Sequence, residues 1–140
     1  MEFHISQDKD RLNVEKVHQE VTATYWGKGR TWEQTLMTIE KCTCFGMYSE
    51  NGEQIAYARM MCDGLTFAYL MDVIVFDPHK GKGLGKQMIQ FILDLPEVKQ
   101  VNTVALKTLD AHSFYESFGF KRVGDSEMWM SIDRKKYNLA

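Results

Sequence analysis

The stretch that decides the fold is KGKGLGK, residues 80–86, which lies three residues after the apolar run AYLMDVIVF, residues 68–76. A run that is this continuously apolar is typical of a strand buried on both faces. After the glycines, LGKQMIQFILDL, residues 84–95, places its apolar residues on one helical face, and Pro96 ends that helix. The sequence therefore predicts a core strand that leads through a flexible, positively charged turn into an amphipathic helix.

Upstream of this unit, the sequence predicts a short first strand over residues 2–6, two helices and a pair of strands. LNVEKVHQEV, residues 12–21, has apolar residues at helical intervals, and Thr31 with Gln34 forms a capping-box pattern that opens a second helix. TCFGMYSENGEQIAYARMM, residues 43–61, consists of two strand-like runs around Asn51-Gly52, which is a strong hairpin signal. Asp63-Gly64 marks a second tight turn before the core strand.

Downstream, VNTVALKT (101–108) is predicted as a buried strand, DAHSFYESFGF (110–120) as a short helix closing at Gly119, and EMWMSI (127–132) as a last strand. This element order predicts an antiparallel meander followed by one parallel, right-handed β-α-β crossover. The expected fold class is α+β, with a mostly antiparallel twisted sheet and one parallel strand pair, flanked by helices. At 140 residues the chain is expected to form a single domain, 1–140.

The composition narrows the class of protein. A hydrophobic content of 44%, a charged content of 26% and a formal net charge of -2 are ordinary for a soluble globular protein and argue against a nucleic-acid binder. The three cysteines have no C-x-x-C spacing, so neither a disulfide framework nor a metal site is expected. The N-terminus has no apolar signal region, and no run of residues approaches the length of a membrane span. We therefore expect a cytoplasmic protein with reduced thiols, without nucleic-acid or membrane partners.

The glycine turn itself has the chemistry of an anion site. Gly83 and Gly85 stand at the start of a helix, where unpaired backbone N–H groups and the helix dipole favour negative charge. Glycine also allows the backbone to approach an anion closely. Lys80, Lys82 and Lys86 add positive charge at the same place. A pyrophosphate suits such a turn, and a tight connection surrounded by solvated lysines is the alternative.

Two common phosphate motifs do not fit the spacing. A Walker A loop would need glycine at position 80 and serine or threonine at position 87, where this chain has Lys80 and Gln87. A dinucleotide fingerprint that starts at Gly81 would need glycine at position 86, which is a lysine. A nucleotide hydrolase is therefore disfavoured.

The turn and a later motif together resemble the GNAT superfamily of acyl-CoA-dependent N-acetyltransferases. Residues 80–85, KGKGLG, fit the family signature Arg/Gln-x-x-Gly-x-Gly/Ala, with Lys80 in place of arginine or glutamine. Residues 114–120, FYESFGF, match the family's tyrosine followed by Gly-Phe about thirty residues later. Ala111 falls where the family often has alanine, and Thr108 stands where it often has asparagine. The element order is similar over nearly the whole chain.

The resemblance implies acetyl-CoA as co-substrate, no metal, and an amine acceptor that is either a small molecule or a peptide; a homodimer is also an expectation from the family. The pantetheine arm is expected to bond the main chain of the core strand where the parallel strands splay apart. The cofactor contacts that the resemblance implies are the main chain of Val73, Ile74 and Val75, and the turn residues Lys80, Gly81, Lys82, Gly83, Leu84, Gly85 and Lys86.

The resemblance also implies catalytic roles. Tyr115 occupies the position of a general acid that protonates the leaving thiolate, with aromatic packing as its alternative role. Asp72 lies inside an apolar strand, where it could take the amine's proton through water or bind a cationic acceptor; pairing with an arginine is the alternative. His112 could do similar work. By family analogy the first helices and their connection, which carries Trp26 and Arg30, select the acceptor.

The function expected from these residues is N-acetyl transfer from acetyl-CoA to a primary amine by direct attack. The alternative is a non-catalytic module that binds acyl-CoA as a sensor. Tyr115 favours the enzyme, because a sensor has no need of a proton donor at that position.

Overall fold

A computed structural model describes residues 2–135 of the chain. It consists of five strands and five α-helices, with a short 3₁₀ helix at Lys9–Arg11 before the first α-helix. The elements in chain order are β1 (Phe3–Ser6), α1 (Val14–Thr22), α2 (Trp32–Lys41), β2 (Thr43–Ser49), β3 (Gln54–Cys62), β4 (Phe67–Val75), α3 (Leu84–Leu93), α4 (Pro96–Lys99), β5 (Thr103–Leu106) and α5 (His112–Glu116).

The five strands form one sheet in the order β1-β2-β3-β4-β5. The neighbouring pairs from β1 to β4 are antiparallel, whereas β4 and β5 are parallel, with Phe67 opposite Thr103 and Leu70 opposite Leu106. The predicted α+β class, with a mostly antiparallel sheet and one parallel pair, is confirmed.

Local signals in the sequence account for the start of α2 and for the turns on either side of β3. The Thr31 side chain accepts a hydrogen bond from the Gln34 backbone N–H and the Gln34 side chain accepts one from the Thr31 N–H, so the predicted capping box opens α2. Gly52 and Gly64 adopt positive φ angles of 85° and 76° in the two turns that join β2 to β3 and β3 to β4. Both hairpin predictions are therefore confirmed.

The sheet is covered on both faces, and each face has its own hydrophobic cluster. The helix α3 contributes Leu84, Met88, Ile89 and Ile92 to one cluster. The helices α1 and α2 pack on the other face. Buried members of this second cluster include Val17, Val21, Ile39, Tyr57, Ile74 and Phe76. The strand β4 therefore lies between the two layers, which explains why its sequence is apolar almost throughout.

The last strand predicted from the sequence is wrong: residues 127–132 form no strand. Their alternating pattern leaves Met128, Met130 and Ile132 with 89%, 93% and 80% of their surface exposed, while Trp129 packs at a tilt on Phe67. A period of two shows only which side chains a strand could bury. A strand also has to pair with a neighbouring edge, and within residues 2–135 the sheet ends at β5, to whose open edge residues 127–132 do not pair.

None of the helices within residues 2–135 combines the length and apolar character that crossing a bilayer requires. The three cysteines are unpaired, with Cys42 and Cys44 buried and Cys62 half-buried.

Candidate functional site

The parallel pair β4 and β5 separates halfway along β4. Their pairing ends at Leu70 and Leu106, while β4 continues to Val75 and keeps its antiparallel partner β3 as far as Ala56 opposite Val75. Along Val73–Val75, the edge of β4 that faces away from β3 therefore has no strand partner among the described residues. Its backbone groups can hydrogen-bond a ligand that enters the gap.

The glycine turn follows the end of this open edge and leads directly into α3. Gly83 is the N-cap of α3 with φ 77° and ψ 14°, and no side chain caps the first N–H groups of the helix. A Cβ added at Gly81 or at Gly83 would have no atom within 4 Å. The turn thus presents uncapped backbone donors to open space, which is an arrangement that fits a pyrophosphate.

Two neighbouring features fix the turn in place. Leu84 is 1% exposed and anchors the first turn of α3 in the core. A Cβ at Gly85 would lie 3.5 Å from Phe114 Cζ and 3.6 Å from Val75 Cγ2, so the turn packs closely between β4 and α5. Lys80, 3.6 Å from Asp77, is largely exposed, as are Lys82 and Lys86. The three lysines therefore surround the turn without being held rigidly by it.

Tyr115 lies on α5 and packs edge-on against Phe114, with the ring centroids 5.0 Å apart. Burial, together with the nearby Tyr25 and Asp110, raises the pKa of the Tyr115 phenol to about 12. Tyr25 belongs to the connection between α1 and α2, and its hydroxyl accepts a hydrogen bond of 2.9 Å from the Leu109 backbone N–H. The connection thereby reaches the segment before α5, and Tyr115 is a fully protonated phenol at neutral pH.

The α1–α2 connection also contacts Asp72 of β4. We call the group formed by Asp72, Arg30 and Arg59 the charge cluster. Arg30 donates from Nη1 to Asp72 Oδ2 at 2.7 Å and from Nη2 to Oδ1 at 3.3 Å. Arg59, on β3, donates from Nε to Oδ2 at 2.6 Å. Trp26 Nε1 donates to Oδ1 at 2.9 Å. Three elements distant in sequence are therefore tied together by one carboxylate.

The backbone at Asp72 is unusual as well. Tyr57 pairs with Ile74 and Arg59 with Met71, so two residues of β4, Asp72 and Val73, oppose one of β3. Asp72 has a φ of 51°, which is uncommon for a residue other than glycine. The bulge changes the direction of the side chain, as bulges beside functional sites commonly do. It lets Asp72 meet the α1–α2 connection while the next residue, Val73, packs with the α3 cluster.

The ionisation of Asp72 is governed by two opposed effects. Burial raises the pKa of its carboxyl, but hydrogen bonds and charge attraction from Arg30 and Arg59 outweigh the burial and hold the pKa below its ordinary value. Asp72 is 5% exposed, and all four of its hydrogen bonds come from the three side chains around it. Asp72 is therefore an anion at neutral pH, with little free capacity to accept a further proton or bind a cation.

The structure brings together most of the residues that the sequence singles out. The main chain of Val73–Val75 lies along the open edge, and the turn of residues 80–86 lies just beyond its end. The Thr108 hydroxyl accepts a hydrogen bond from the Ala111 N–H at the entry to α5. His112, on α5, is half-buried.

Arg59 is the residue that sequence reasoning missed. It is a single charged side chain inside the strand run IAYARMM, residues 55–61, which is otherwise almost entirely apolar. The turn at Asp63-Gly64 joins that strand to the one that carries Asp72. A buried carboxylate on one arm of a hairpin and one arginine on the other arm was the available signal. Within the described residues, no group of three or more His, Cys, Asp or Glu side chains is arranged to hold a metal ion.

Comparison with known proteins identifies the class. The family model described as an acetyltransferase (GNAT) domain matches residues 40–122, which is more than half of the chain and runs from the end of α2 through α5. The protein belongs to the GNAT acetyltransferase family, which implies acyl transfer from acetyl-CoA.

Individual relatives agree with this assignment. A crystal structure from Xanthomonas campestris pv. campestris, of a protein assigned to the GNAT family, is 30% identical with a TM-score of 0.84, and the match covers 94% of each chain. A Gibberella zeae protein named as a candidate acetyltransferase is 25% identical over 86% of this chain and 80% of its own length. A Clostridium acetobutylicum protein crystallised with acetyl-CoA shares the fold, with a TM-score of 0.66 and 12% identity over 94% of this chain and 95% of its own.

Proposed function

We propose that this protein transfers the acetyl group of acetyl-CoA to a primary amine by direct attack. The observation that carries the proposal is the continuity between the open edge of β4 and the glycine turn. Backbone donors and acceptors along Val73–Val75 lead to uncapped N–H groups at Gly83, and open space lies over the turn. An extended arm that ends in a pyrophosphate fits this path.

The proposed reaction needs few groups. The neutral amine attacks the thioester carbonyl carbon, a C–N bond forms, and the C–S bond breaks. Holding the two reactants in register supplies much of the rate enhancement in such a reaction. A backbone N–H along Val73–Val75 is available to donate to the carbonyl oxygen as negative charge develops on it. The amine loses a proton to solvent, and the departing thiolate gains one.

Tyr115 is proposed as the donor of that second proton. A phenol with a pKa of about 12 is protonated throughout the neutral range, so it is always in the form that can donate. Tyr115 packs on Phe114, and a Cβ at Gly85 would lie 3.5 Å from Phe114 and 3.6 Å from Val75, so α5 lies against the end of the open edge of β4, next to the proposed cofactor path.

Asp72 is proposed to act through its arginines. Of the two roles suggested by the sequence, accepting the amine's proton and binding a cationic acceptor both need a free lone pair. The four hydrogen bonds to Asp72 leave little capacity for either role. The proposed role of Asp72 is to hold Arg30 and Arg59 in position beside the open edge of β4.

The proposed function is tested by incubating the protein and acetyl-CoA with a panel of primary amines and following free thiol release. Mass spectrometry of the products distinguishes amine acetylation from thioester hydrolysis. Thiol release that requires an amine and produces an acetylated amine supports the proposal. Release at the same rate without any amine identifies a hydrolase and contradicts it. Tight acetyl-CoA binding without turnover on any amine identifies the sensor.

A further inference from the structure

The charge cluster contains more positive than negative charge. Two guanidinium groups share the single carboxylate of Asp72, and their side chains are only 16% exposed for Arg30 and 11% for Arg59. The cluster therefore carries a net charge of about +1 in a largely enclosed position. A cation held out of water in this way favours an anionic partner.

The hydrogen bonds of the cluster show which kind of partner it can take. A carboxylate has about four acceptor positions, and Asp72 already accepts four hydrogen bonds. A guanidinium has five N–H donors. Arg30 Nε and Arg59 Nη2 have no hydrogen-bond partner within residues 2–135, and Arg59 Nη1 donates only to the Cys42 sulfur at 3.2 Å. The cluster has donors to spare and no free acceptor, so its chemistry favours an oxyanion.

The two donors without a partner are not fully buried. In the described part of the chain, the buried side-chain nitrogen and oxygen atoms without a partner are those of Tyr48 and His79 only, so Arg30 Nε and Arg59 Nη2 keep some contact with solvent. Asp72 immediately precedes Val73, which is the first residue of the open edge of β4. The Val73 side chain packs in the hydrophobic cluster to which α3 contributes. An acceptor that approaches the thioester from the α1–α2 side therefore passes Arg30 and Arg59.

We propose that the acceptor is a small amine that also carries an oxyanion, either a carboxylate or a phosphate, and that Arg30 and Arg59 bind that oxyanion. The inference rests on the proposed function and adds the substrate class to it. Arginine suits this role because its planar donors match the oxygen geometry of both groups. Arg30, from the α1–α2 connection, and Arg59, from β3, approach from two sides and would orient the amine end towards β4.

The test uses matched acceptors. The panel contains an amino acid with its methyl ester, and an aminoalkyl phosphate with its parent amino alcohol. We expect kcat/KM to favour the charged member of at least one pair by roughly tenfold to a hundredfold, which is the usual effect of a hydrogen bond to a charged group. The pair that shows the preference distinguishes carboxylate from phosphate.

The residue assignment is tested with variants at Arg30. Arg30→Gln is expected to abolish the preference by raising the KM of the charged acceptor, while the KM of acetyl-CoA stays within about twofold. Arg30→Lys keeps the charge but not the planar donors and is expected to recover part of the preference. Lys99→Gln is the control, since it removes one positive charge from the exposed end of α4.

A binding measurement keeps the test decisive whether or not turnover is seen or Arg30→Gln folds. Calorimetry with CoA-saturated wild type compares an N-acetylated amino acid with its methyl ester, and an N-acetylated aminoalkyl phosphate with its alcohol. Tighter binding of a charged ligand supports the oxyanion site, and equal binding within both pairs overturns it. Efficient acetylation of neutral amines without any preference overturns this inference and leaves the proposed function standing. Failure to acetylate any amine overturns the proposed function, and calorimetry then decides the oxyanion site alone.

Discussion

Two regions lie beside β4, and they are built in opposite ways. The glycine turn, residues 80–86, offers backbone N–H groups, leaves open space over its glycines and has its lysines in solvent. The charge cluster of Asp72, Arg30 and Arg59 consists of side chains that are largely enclosed and bonded to one another at 2.6–3.3 Å. We propose that the first region recognises its ligand by shape and the second by charge.

This difference determines which changes each region tolerates. A change in side-chain chemistry should matter greatly at an enclosed hydrogen-bonded group, because the partners left behind are unsatisfied. At an exposed turn, the same loss of charge should matter little, whereas added volume should block a ligand's approach.

The largest expected effect is a loss of turnover at Tyr115, where the hydroxyl is proposed to act as a proton donor. Tyr115→Phe keeps the ring packing against Phe114 and removes the proposed proton donor. Turnover measured by thiol release should fall roughly a hundredfold to ten-thousandfold, while acetyl-CoA affinity stays nearly unchanged. The loss should be smaller with acyl donors whose thiol is more acidic, because such a thiolate leaves without help.

Tyr48→Phe is the matched control, because the buried Tyr48 hydroxyl has no hydrogen-bond partner and lies on β2. It should leave turnover unchanged. With a pKa of about 12, Tyr115 stays protonated as pH rises through 8 and 9, so its ionisation should not limit the rate there. Equal turnover of Tyr115→Phe and wild type at every pH would remove the phenol from the mechanism.

The next effect concerns the stability that Asp72 confers. Asp72→Asn replaces the carboxylate shared by Arg30 and Arg59 with a neutral amide and leaves two enclosed cations without their counter-charge. Breaking a buried ion pair in this way typically costs about 3–5 kcal/mol. Urea denaturation should show a loss of that order in the free energy of unfolding. Asp94→Asn, at an exposed residue that accepts a hydrogen bond from Gln90, should cost less than about 0.5 kcal/mol.

The sign of the pH dependence follows from the lowered pKa of Asp72. A carboxyl whose pKa is lower in the folded state contributes stability that is fully present above its unfolded pKa, about 3.9. That contribution is lost as pH falls through the folded-state pKa. The stability difference between wild type and Asp72→Asn should therefore be constant near neutral pH and shrink in acid. A difference that grows as the pH is lowered would contradict the ion-pair account.

The same contrast explains what could be predicted from the sequence. The glycine turn, the capping box at Thr31 and the hairpins at Gly52 and Gly64 are local, since each depends on residues within a few positions of one another. Their patterns therefore predicted strands, helices and turns correctly. The uncapped backbone donors at the start of α3 could also be predicted, because they follow from position in the helix alone.

Only part of the charge cluster could be predicted from the sequence: an arginine partner for Asp72 was one of the expected alternatives, but the particular residues were not. Arg30 and Asp72 are 42 positions apart, and their contact depends on how the α1–α2 connection folds over β4. The positive φ of Asp72 and the bulge at Val73 depend on the register with β3, which no single run of residues encodes. The failed strand at 127–132 has the same cause, because pairing depends on a neighbour that the local pattern does not specify.

A third prediction tests shape at the glycine turn. Asparagine tolerates positive φ better than other residues with a side chain, so Gly83→Asn should fold while its side chain enters the open space above the turn. CoA affinity measured by calorimetry should fall roughly tenfold to a hundredfold, as expected if one or two charge-assisted hydrogen bonds are lost.

Gly64→Asn is closely matched to Gly83→Asn. Gly64 has a φ of 76° against 77° at Gly83, and a Cβ there also has no atom within 4 Å, but it lies in the β3–β4 turn. Both variants place asparagine at nearly the same positive φ, so a difference in CoA affinity reports on the ligand. If both bind CoA as well as wild type does, the turn does not cradle the phosphates.

The smallest expected effect on CoA affinity comes from removing positive charge at the glycine turn. Exposed ionic contacts are each worth less than about 1 kcal/mol, so Lys82→Gln should weaken CoA binding at low salt by no more than roughly fivefold.

Lys80→Gln should weaken CoA binding less than Lys82→Gln does. Asp77, 3.6 Å away, already offsets part of the Lys80 charge, whereas Lys82 has no ion-pair partner within residues 2–135. Both effects should disappear near 1 M salt, where the screening length falls to about 3 Å. The single variants Lys41→Gln and Lys99→Gln each remove one positive charge as well, at exposed sites outside the turn, and should bind CoA like wild type. A Lys80→Gln loss that exceeds the Lys82→Gln loss, or one that persists in high salt, would mean that Lys80 holds the phosphates directly and that this turn also recognises by side-chain charge.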